Sequence, residues 1–216
     1  TMSSSTHSAE LAFALTLADI ADEISLARYR ALDLVITTKP DSTPVTDADK
    51  SVEVAITAAI NLKYPSDGIV GEEFGTSGSR GSDGSKDRYW VIDPIDGTSN
   101  FVRGVPVWAT LIGLVHRDMG PVLGVVSAPA MQTRWWGVLG DGAYCNGHPI
   151  NVSDVASLSE AHLSITANDL WDKIGKTQHI DNVTRAAKRV RGFGDFWQHM
   201  LVAQGAVDVA VDAVGL

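Results

Sequence analysis

Cysteine is almost absent from this sequence, with Cys145 the only one in 216 residues. A single cysteine excludes an intramolecular disulfide and a cysteine-based zinc cluster. Long apolar runs are missing too, since none approaches the roughly 18 to 20 residues that span a bilayer. The first residues also lack the basic and apolar regions of a secretory leader. We therefore expect a cytoplasmic protein with no membrane partner.

Positive charge is scarce as well. Lys and Arg total 17 against 26 Asp and Glu, which gives a formal net charge of −9. Because nucleic-acid backbones are bound through basic residues, this balance argues against nucleic acid as a partner. It suits divalent cations or a cationic small molecule. The 44% of hydrophobic residues is ordinary for a globular domain, which we divide into subdomains at about residues 1–150 and 151–216.

Two helices are predicted in the first part of the chain. Apolar periodicity predicts the first over residues 10–30. A polar loop over residues 37–49 follows, and Asp47 or Asp49 is expected to cap the second helix. That helix is expected to end near Pro65, because proline disfavours a helical conformation in the residue before it.

Strand-like segments dominate the next part of the chain, and a Gly/Ser-rich stretch over residues 76–87 predicts a linker. Turns are expected at residues 140–142 and 146–149. The predicted strands cover residues 69–70, 89–93, 107–116, 120–129 and a pair within residues 134–153.

From residue 159 the pattern alternates between strand and helix. Strands are predicted over residues 162–166, 189–193 and 207–211, and helices over residues 181–189 and 195–206. Taken together, these segments predict a layered sandwich of the α+β or α/β class, with alternating layers of helix and sheet.

Carboxylates follow two of the apolar strands. Glu72 and Glu73 come after the first strand, and Asp93 ends the second, with Asp96 just beyond it. Carboxylates together with a backbone carbonyl suit a hard cation such as Mg²⁺. A carboxylate that bridges two such ions suits phosphoryl transfer. Gly97 then permits a tight bend and the close approach of a ligand.

The same stretch has a simpler interpretation. Asp-Pro and Asp-Gly are common turn dipeptides, so the segment alone also fits a solvent-exposed turn. In the metal-site interpretation, Pro94 stiffens the turn, and residues 98–100 open a helix whose free N–H groups hold an anion. The residues by themselves leave both interpretations open.

The combination of motifs resembles the inositol monophosphatase family of Mg²⁺-dependent, lithium-sensitive phosphatases. The segment "DPIDGTSNF" (residues 93–101), with "GEE" upstream (residues 71–73), carries the resemblance. "FGDFW" (residues 193–197) is similar to the bacterial histidinol-phosphate phosphatase branch of that family. Further matches, in the family's order and spacing, lie at residues 44–53, 102–114, 120–130 and 140–153.

The resemblance implies a metal site with two or three Mg²⁺ ions, for which Mn²⁺ can substitute and which Li⁺ inhibits. Glu72 is implied to bind the first ion and to orient the nucleophilic water. Asp93 is implied to bridge the ions, the carbonyl of Ile95 to complete the first site and Asp96 to bind the second ion.

The catalytic and phosphate-binding roles are also implied by the resemblance. Thr98, supported by Asp49, is implied to accept from or orient the attacking water, so both join Glu72 as catalytic residues. Phosphate contacts are implied for Gly97, Thr98 and Ser99.

The leaving group is implied to contact Gly194, Asp195 and Asp212. Arg103 is a further candidate for the phosphate or the leaving group, and a surface ion pair is its alternative. Two aspartates would suit the ammonium and imidazole of histidinol phosphate through charge-assisted hydrogen bonds. Asp195 also fits the position of a helix cap, and both roles stay open.

The predicted function is therefore hydrolysis of L-histidinol phosphate to L-histidinol and phosphate by a metal-activated water, in a homodimer. Inositol 1-phosphate is the alternative substrate, followed by a sugar bisphosphate or 3′-phosphoadenosine 5′-phosphate. The family pattern continues beyond Leu216 to an aspartate that completes the second metal site. We therefore expect an apparently truncated C-terminal part and weak binding of the second ion. A catalytically inactive fragment that binds metal or phosphate is the alternative from another class.

Overall fold

The computed structural model describes residues 7–40, 42–77, 87–167 and 169–213. The chain divides into two compact units, Thr1–His148 and Pro149–Leu216. Residues 78–86 of the predicted Gly/Ser-rich linker lie outside the described residues. Among the helices that are described, none is long and apolar enough to cross a membrane.

Helix α1 (Ser8–Arg28) confirms the first predicted helix. Its buried face is narrower than the apolar pattern suggests, because Leu26 points to solvent with 46% of its surface exposed. The spacing of the buried positions at three and four residues is typical of a helix packed on one side. The buried residues are Ala14, Leu17, Ala18, Ala21 and Ser25.

The predicted polar loop contains a short antiparallel hairpin. It consists of β1 (Ile36–Thr38) and β2 (Pro44–Thr46). Helix α2 (Asp47–Lys63) follows directly and ends before Pro65, as predicted.

The cap of α2 corrects the sequence prediction, because Thr46 rather than Asp47 or Asp49 is the N-cap residue. The Thr46 hydroxyl accepts the N–H groups of Ala48 and Asp49. The Asp49 carboxylate in turn accepts the N–H of Thr46 at 2.8 Å. This reciprocal capping box satisfies free donors at the helix start and holds Asp49 at a fixed place in the fold.

A mixed sheet forms the centre of the first unit. Its strands run in the order β9-β8-β7-β6-β5-β3-β4. The β3–β5 pair is parallel and the other pairs are antiparallel. The strands are β3 (Gly68–Gly71), β4 (Thr76–Ser77), β5 (Arg88–Asp96), β6 (Ala109–His116), β7 (Gly120–Ala128), β8 (Thr133–Val138) and β9 (Gly142–Cys145), and the six-residue helix α3 (Thr98–Arg103) follows β5.

Helices α1 and α2 pack on this sheet around an apolar core that includes Ile56 and Trp90. One buried carboxylate, that of Asp67, is hydrogen-bonded to two residues of β5. The carboxylate of Asp67 accepts the indole N–H of Trp90 at 2.9 Å and the Nε–H of Arg88 at 3.0 Å. Buried polar groups are stable when they are paired in this way, and these two hydrogen bonds hold the start of β5 in place.

The second unit contains a three-stranded parallel sheet in the order β12-β11-β13. Its apolar cluster includes Leu163, Ile180 and Val190. The elements are β11 (His162–Ile165), α4 (Leu170–Lys173), α5 (Thr177–Ala186), β12 (Arg189–Arg191), α6 (Asp195–Ala203) and β13 (Val209–Val211).

Three local predictions differ from the structure. The turn predicted over residues 146–149 overlaps a further strand, β10 (His148–Ile150), which begins directly after the turn at Asn146 and Gly147. The short helix α4 was missed, because four residues are too few to show a period. Helix α5 lies about one turn earlier than predicted, since its amphipathic pattern begins in the polar stretch after Gly175.

Candidate active site

Two neighbouring strands bring the predicted carboxylates to one edge of the sheet. Strands β3 and β5 are parallel, and Gly71 pairs with Ile92. The pairing continues one residue further, because the N–H of Glu72 donates to the carbonyl of Ile92 at 3.2 Å. Glu72 is therefore placed beside Asp93, as expected when parallel strands end at the same edge of a sheet.

The end of β5 corrects the predicted geometry. Asp93 does not end the strand, because β5 continues to Asp96 with a shift of register between the two aspartates. Pro94 sits within this irregular stretch, where a missing backbone donor is tolerated, and its carbonyl accepts the hydroxyl of Thr110 at 2.8 Å. Such a bulge re-aims side chains, so that Asp93 and Asp96 lie on a bent strand end rather than in a surface turn.

The carboxyl of Asp93 has a strongly perturbed pKa. Burial raises its pKa to about 9, and the negative charges of Glu72, Asp96 and Asp49 add to the effect. Its Oδ1 atom is buried without a hydrogen-bond partner among the described residues. An orphaned buried carboxylate oxygen surrounded by like charges is stabilised by a cation.

Lys39 supplies positive charge at the same edge. Its ammonium lies 2.8 Å from Glu72 Oε1 and 2.5 Å from Glu73 Oε1. Burial lowers the pKa of Lys39, but the hydrogen bonds and charges of the two glutamates more than offset this and raise it. Burial raises the pKa of Glu73, against the opposing effect of Lys39. Glu73 is thus an ion-pair partner of Lys39, the residue that also pairs with Glu72.

Asp49 and Thr98 form the second polar pair of the site. Asp49 is fully buried, and burial raises its pKa although hydrogen bonds from Thr46 oppose the shift. The Thr98 hydroxyl lies 3.2 Å from Asp49 Oδ1 and 2.9 Å from the carbonyl of Ile95. A hydroxyl has one proton to donate and two lone pairs, so Thr98 keeps acceptor capacity for a ligand.

The backbone after Asp96 turns sharply into α3. Gly97 adopts a left-handed conformation with φ of 83° and is the N-cap of the helix, a conformation that glycine adopts without steric cost. Thr98 is the first helical residue, and Ser99 is exposed. Arg103 lies exposed in the last turn of the helix. The predicted phosphate-binding residues 97–99 are thus contiguous with the carboxylate edge.

The residues of this edge fit a hard cation by chemistry. They offer carboxylate and carbonyl oxygens, which Mg²⁺ prefers, and they include the buried Asp93 oxygen, which has no partner in the part of the chain that the structure describes. Within the described ranges, no three His, Cys, Asp or Glu side chains already converge in the geometry of a metal centre. Glu72 is paired with Lys39 and its carboxylate lies beside Asp93, so a metal ion would have to displace the Lys39 ammonium from Glu72.

Of the predicted substrate residues, Gly194, Asp195 and Asp212 lie in the second unit, and Arg103 lies in the first. Gly194 is the N-cap of α6, and Asp195 is its first residue, with a positive φ of 48°. Asp195 therefore does not occupy the cap position, which corrects that alternative. A non-glycine residue in the left-handed region is uncommon and often marks a functional site.

Asp212 follows β13 and is held by a chain of buried polar groups. The N–H of Phe193 donates to Ser164 Oγ at 3.0 Å, and Ser164 donates to Gln198 Oε1 at 2.8 Å. Gln198 is fully buried, and its amide donates to Asp212 Oδ2 at 3.1 Å. The other oxygen, Oδ1, is buried without a partner among the described residues. The chain therefore fixes the Asp212 carboxylate and leaves one acceptor unused.

Several residues of these sites were missed by the sequence prediction. Lys39 gave no signal, because a lysine in a polar loop is ordinary. Glu53 stands four residues after Asp49 on α2, a spacing that places both on one helix face, and this could have marked it. Gln198 interrupts the apolar sequence of α6, which could have indicated a buried hydrogen-bonding role.

Comparison with known proteins identifies the family of the chain. A sequence model described as the inositol monophosphatase family matches residues 7–214. The histidinol-phosphatase of Mycobacterium tuberculosis is 49% identical over 208 residues, which are 94% of this chain and 78% of that protein. The histidinol-phosphatase of Streptomyces coelicolor is 44% identical over 211 residues, which are 94% and 77% of the two chains.

A solved structure supports the same conclusion at the level of the fold. The inositol monophosphatase from Zymomonas mobilis matches with a TM-score of 0.79 and 35% identity, over 94% of this chain and 76% of that chain. This likeness confirms the predicted layered α/β fold. Since a family model and relatives of high coverage agree, the chain belongs to the inositol monophosphatase family.

Proposed function

We propose that the protein is a Mg²⁺-dependent phosphomonoesterase that hydrolyses L-histidinol phosphate to L-histidinol and phosphate. The observation that carries the reaction class is the group of carboxylates around Asp93. One buried oxygen of Asp93 lacks a partner among the described residues, and burial and neighbouring charges raise the pKa of this carboxyl. The relatives named histidinol-phosphatase, at 49% and 44% identity, support the substrate.

The metal would be held by Glu72, Asp93, Asp96 and the carbonyl of Ile95. Bound there, Mg²⁺ would neutralise phosphate charge and activate a water molecule. Glu72 would also orient that water. Two or three Mg²⁺ ions, with Mn²⁺ as a substitute and Li⁺ as an inhibitor, are part of the proposal and follow from family membership.

Thr98 would act on the attacking water through its hydroxyl. Asp49 lies 3.2 Å from that hydroxyl and is buried and fixed by Thr46. The Thr98 hydroxyl would donate a hydrogen bond to Asp49 and accept one from the water. This second bond would orient a lone pair of the water toward phosphorus. Orientation of this kind is a large part of catalysis in phosphoryl transfer.

The phosphate group would be held by residues 97–99. Gly97 would let the backbone come close to the ligand because it has no side chain, and free N–H groups at a helix start favour anions. Ser99 is exposed and available for such a contact. Arg103, which is also exposed, is kept as a proposed contact for phosphate or the leaving group.

The leaving group would be recognised by residues of the second unit. Asp212 has a fixed orientation and one acceptor oxygen that no described residue uses, which suits the ammonium or imidazolium of histidinol phosphate. Gly194 and Asp195 follow β12, at the same ends of the parallel strands as Asp212. Ligands of α/β sheets commonly bind at this edge.

The reaction and the substrate are tested together by a panel of phosphate esters. Release of phosphate is measured from L-histidinol phosphate, inositol 1-phosphate, fructose 1,6-bisphosphate and 3′-phosphoadenosine 5′-phosphate, with Mg²⁺ and with EDTA. We expect kcat/KM for histidinol phosphate to exceed the others by at least roughly tenfold, because a site built for charged partners discriminates strongly against neutral ones. Preference for inositol 1-phosphate would overturn the substrate, and turnover in EDTA would overturn the metal dependence.

Replacing Asp212 by asparagine should weaken substrate binding. The change keeps the shape and the bond from Gln198 but removes the charge, so we expect KM for histidinol phosphate to rise about 10- to 100-fold, the equivalent of one charge-assisted hydrogen bond. The matched control is Asp154→Asn, at an exposed aspartate of the same unit, which should leave KM unchanged. An unchanged KM in Asp212→Asn would remove Asp212 from the substrate site.

A cytoplasmic homodimer is also proposed, as an expectation from family membership. Light scattering after gel filtration would show one species of twice the chain mass. A monomer at micromolar concentration would contradict this assembly without affecting the proposed reaction.

A further inference from the structure

The carboxylate of Glu53 lies inside the turn that carries Glu72 and Glu73. Glu53 belongs to α2 and is only 2% exposed. Its Oε2 accepts the N–H of Glu73 at 2.7 Å, and its Oε1 accepts the N–H of Phe74 at 3.0 Å. Both carboxylate oxygens are thus used by consecutive backbone donors of one turn.

The turn is fixed at its other end by the sheet. The N–H of Glu72 donates to the carbonyl of Ile92, and the N–H of Gly71 donates to the carbonyl of Gly75 at 2.9 Å. The backbone of Glu72 therefore lies between a bond to β5 and two bonds to Glu53. A side chain on such a backbone has little freedom of position, which is what a ligand residue requires.

The glycine at position 71 makes room for the close approach of the Glu53 carboxylate. A Cβ atom on Gly71 would collide with the Glu53 carboxylate. Gly71 is not among the glycines with positive φ, so its backbone would accept any residue. The absence of a side chain here is explained by the room that the carboxylate takes, not by backbone conformation.

We infer that Glu53 is a positioning residue for the metal site: it holds the turn over residues 71–75 so that the Glu72 carboxylate faces Asp93. The inference rests on the proposed metal-dependent function, and Glu53 itself touches neither substrate nor metal. Only a carboxylate serves two adjacent N–H donors with two acceptor oxygens. A glutamine would present an NH₂ group to one of them.

The test uses Glu53→Gln and two measurements that do not depend on turnover. The first is hydrogen exchange of the Glu73 and Phe74 amides in the metal-free protein, which should become faster as one acceptor is lost. The second is Mn²⁺ binding followed by electron paramagnetic resonance. We expect the Kd for Mn²⁺ to rise roughly 10- to 100-fold, as is typical when a partner that orients a metal ligand is replaced.

Glu10→Gln is the matched control. It makes the same chemical change at a carboxylate paired with Arg88, at the opposite end of β5 from Asp93, and should alter neither measurement. Gly71→Ala is the second variant, because it displaces the carboxylate while Glu53 is retained, and it should show both effects if Glu53→Gln does not fold.

The outcomes separate the inference from the proposed function. If exchange is unchanged, or is faster while the Kd for Mn²⁺ stays the same, Glu53 does not position the site. If the unsubstituted protein itself fails to bind Mn²⁺, the proposed metal-dependent function is wrong, and so is the inference that rests on it.

Discussion

Asp93→Asn is expected to abolish Mg²⁺-dependent phosphate release, with a fall in kcat/KM of at least about a thousandfold. Asp93 is the proposed bridge between metal ions, and a neutral amide cannot supply the charge that holds them. Metal ions contribute several kcal/mol of transition-state stabilisation in such sites, and each 1.36 kcal/mol corresponds to about a tenfold change in rate. Phosphate release from histidinol phosphate at saturating Mg²⁺ measures the effect.

The same substitution should stabilise the metal-free protein. Burial and the charges of Glu72 and Asp96 raise the pKa of Asp93 to about 9, above its unfolded value near 3.8. The ionised form is therefore disfavoured in the folded state, and the metal-free protein should lose stability as pH rises from about 4 to about 9. Asparagine carries no charge, so the melting temperature of the variant should exceed that of the parent at pH 8 and approach it at pH 5.

An exposed aspartate provides the control for both effects. Asp33 is 83% exposed at its side chain, so Asp33→Asn should change neither turnover nor the pH dependence of melting. Normal turnover by Asp93→Asn would remove Asp93 from the metal site. A variant that melts below the metal-free parent at pH 8 would show that the Asp93 carboxylate is stabilised by contacts other than a cation.

The end of β3 could be predicted from the sequence because a local pattern determines it, whereas β5 ends at Asp96 and not at Asp93 as predicted. An apolar run followed by carboxylates marks the end of β3, and glycine after Asp96 marks the sharp turn. The sequence did not predict the bulge at Pro94, because β5 continues beyond it only through pairing with β6. Pairing between separate segments is a tertiary effect. The same holds for Thr46, where the position of the hairpin decided which residue capped α2.

The supporting residues could not be predicted, because their roles depend on contacts between distant segments. Lys39 meets Glu72 only after the hairpin folds next to the β3 edge. Glu53 meets the turn over residues 71–75 only when α2 packs on the sheet. A single sequence shows neither distance. The buried Gln198 is similar, since its partners Ser164 and Asp212 lie on two different strands.

Thr98→Ala should reduce kcat strongly while binding is retained. The Thr98 hydroxyl is the proposed acceptor for the attacking water, and its oxygen lies 3.2 Å from Asp49 Oδ1. A positioned group that assists a proton or a water in the transition state contributes typically 10²- to 10⁴-fold to the rate. We expect kcat to fall by about 100-fold or more, with KM and the Mg²⁺ concentration for half activation changed much less.

Thr98→Ser is the matched control, because it restores the hydroxyl and removes only a methyl group. It should keep kcat within about tenfold of the parent, since the group that orients the water is present again. Thr98→Ala also loses the hydrogen bond to the Ile95 carbonyl, worth about 1 kcal/mol of stability, so urea unfolding of both variants should accompany the kinetics. If alanine and serine reduce kcat equally, the hydroxyl does not orient the water, and if alanine acts only through Mg²⁺ activation, Thr98 supports the Ile95 carbonyl rather than the water. The comparison of the alanine and serine variants therefore decides whether the Thr98 hydroxyl acts on the water, through its bond to Asp49, or on the Ile95 carbonyl.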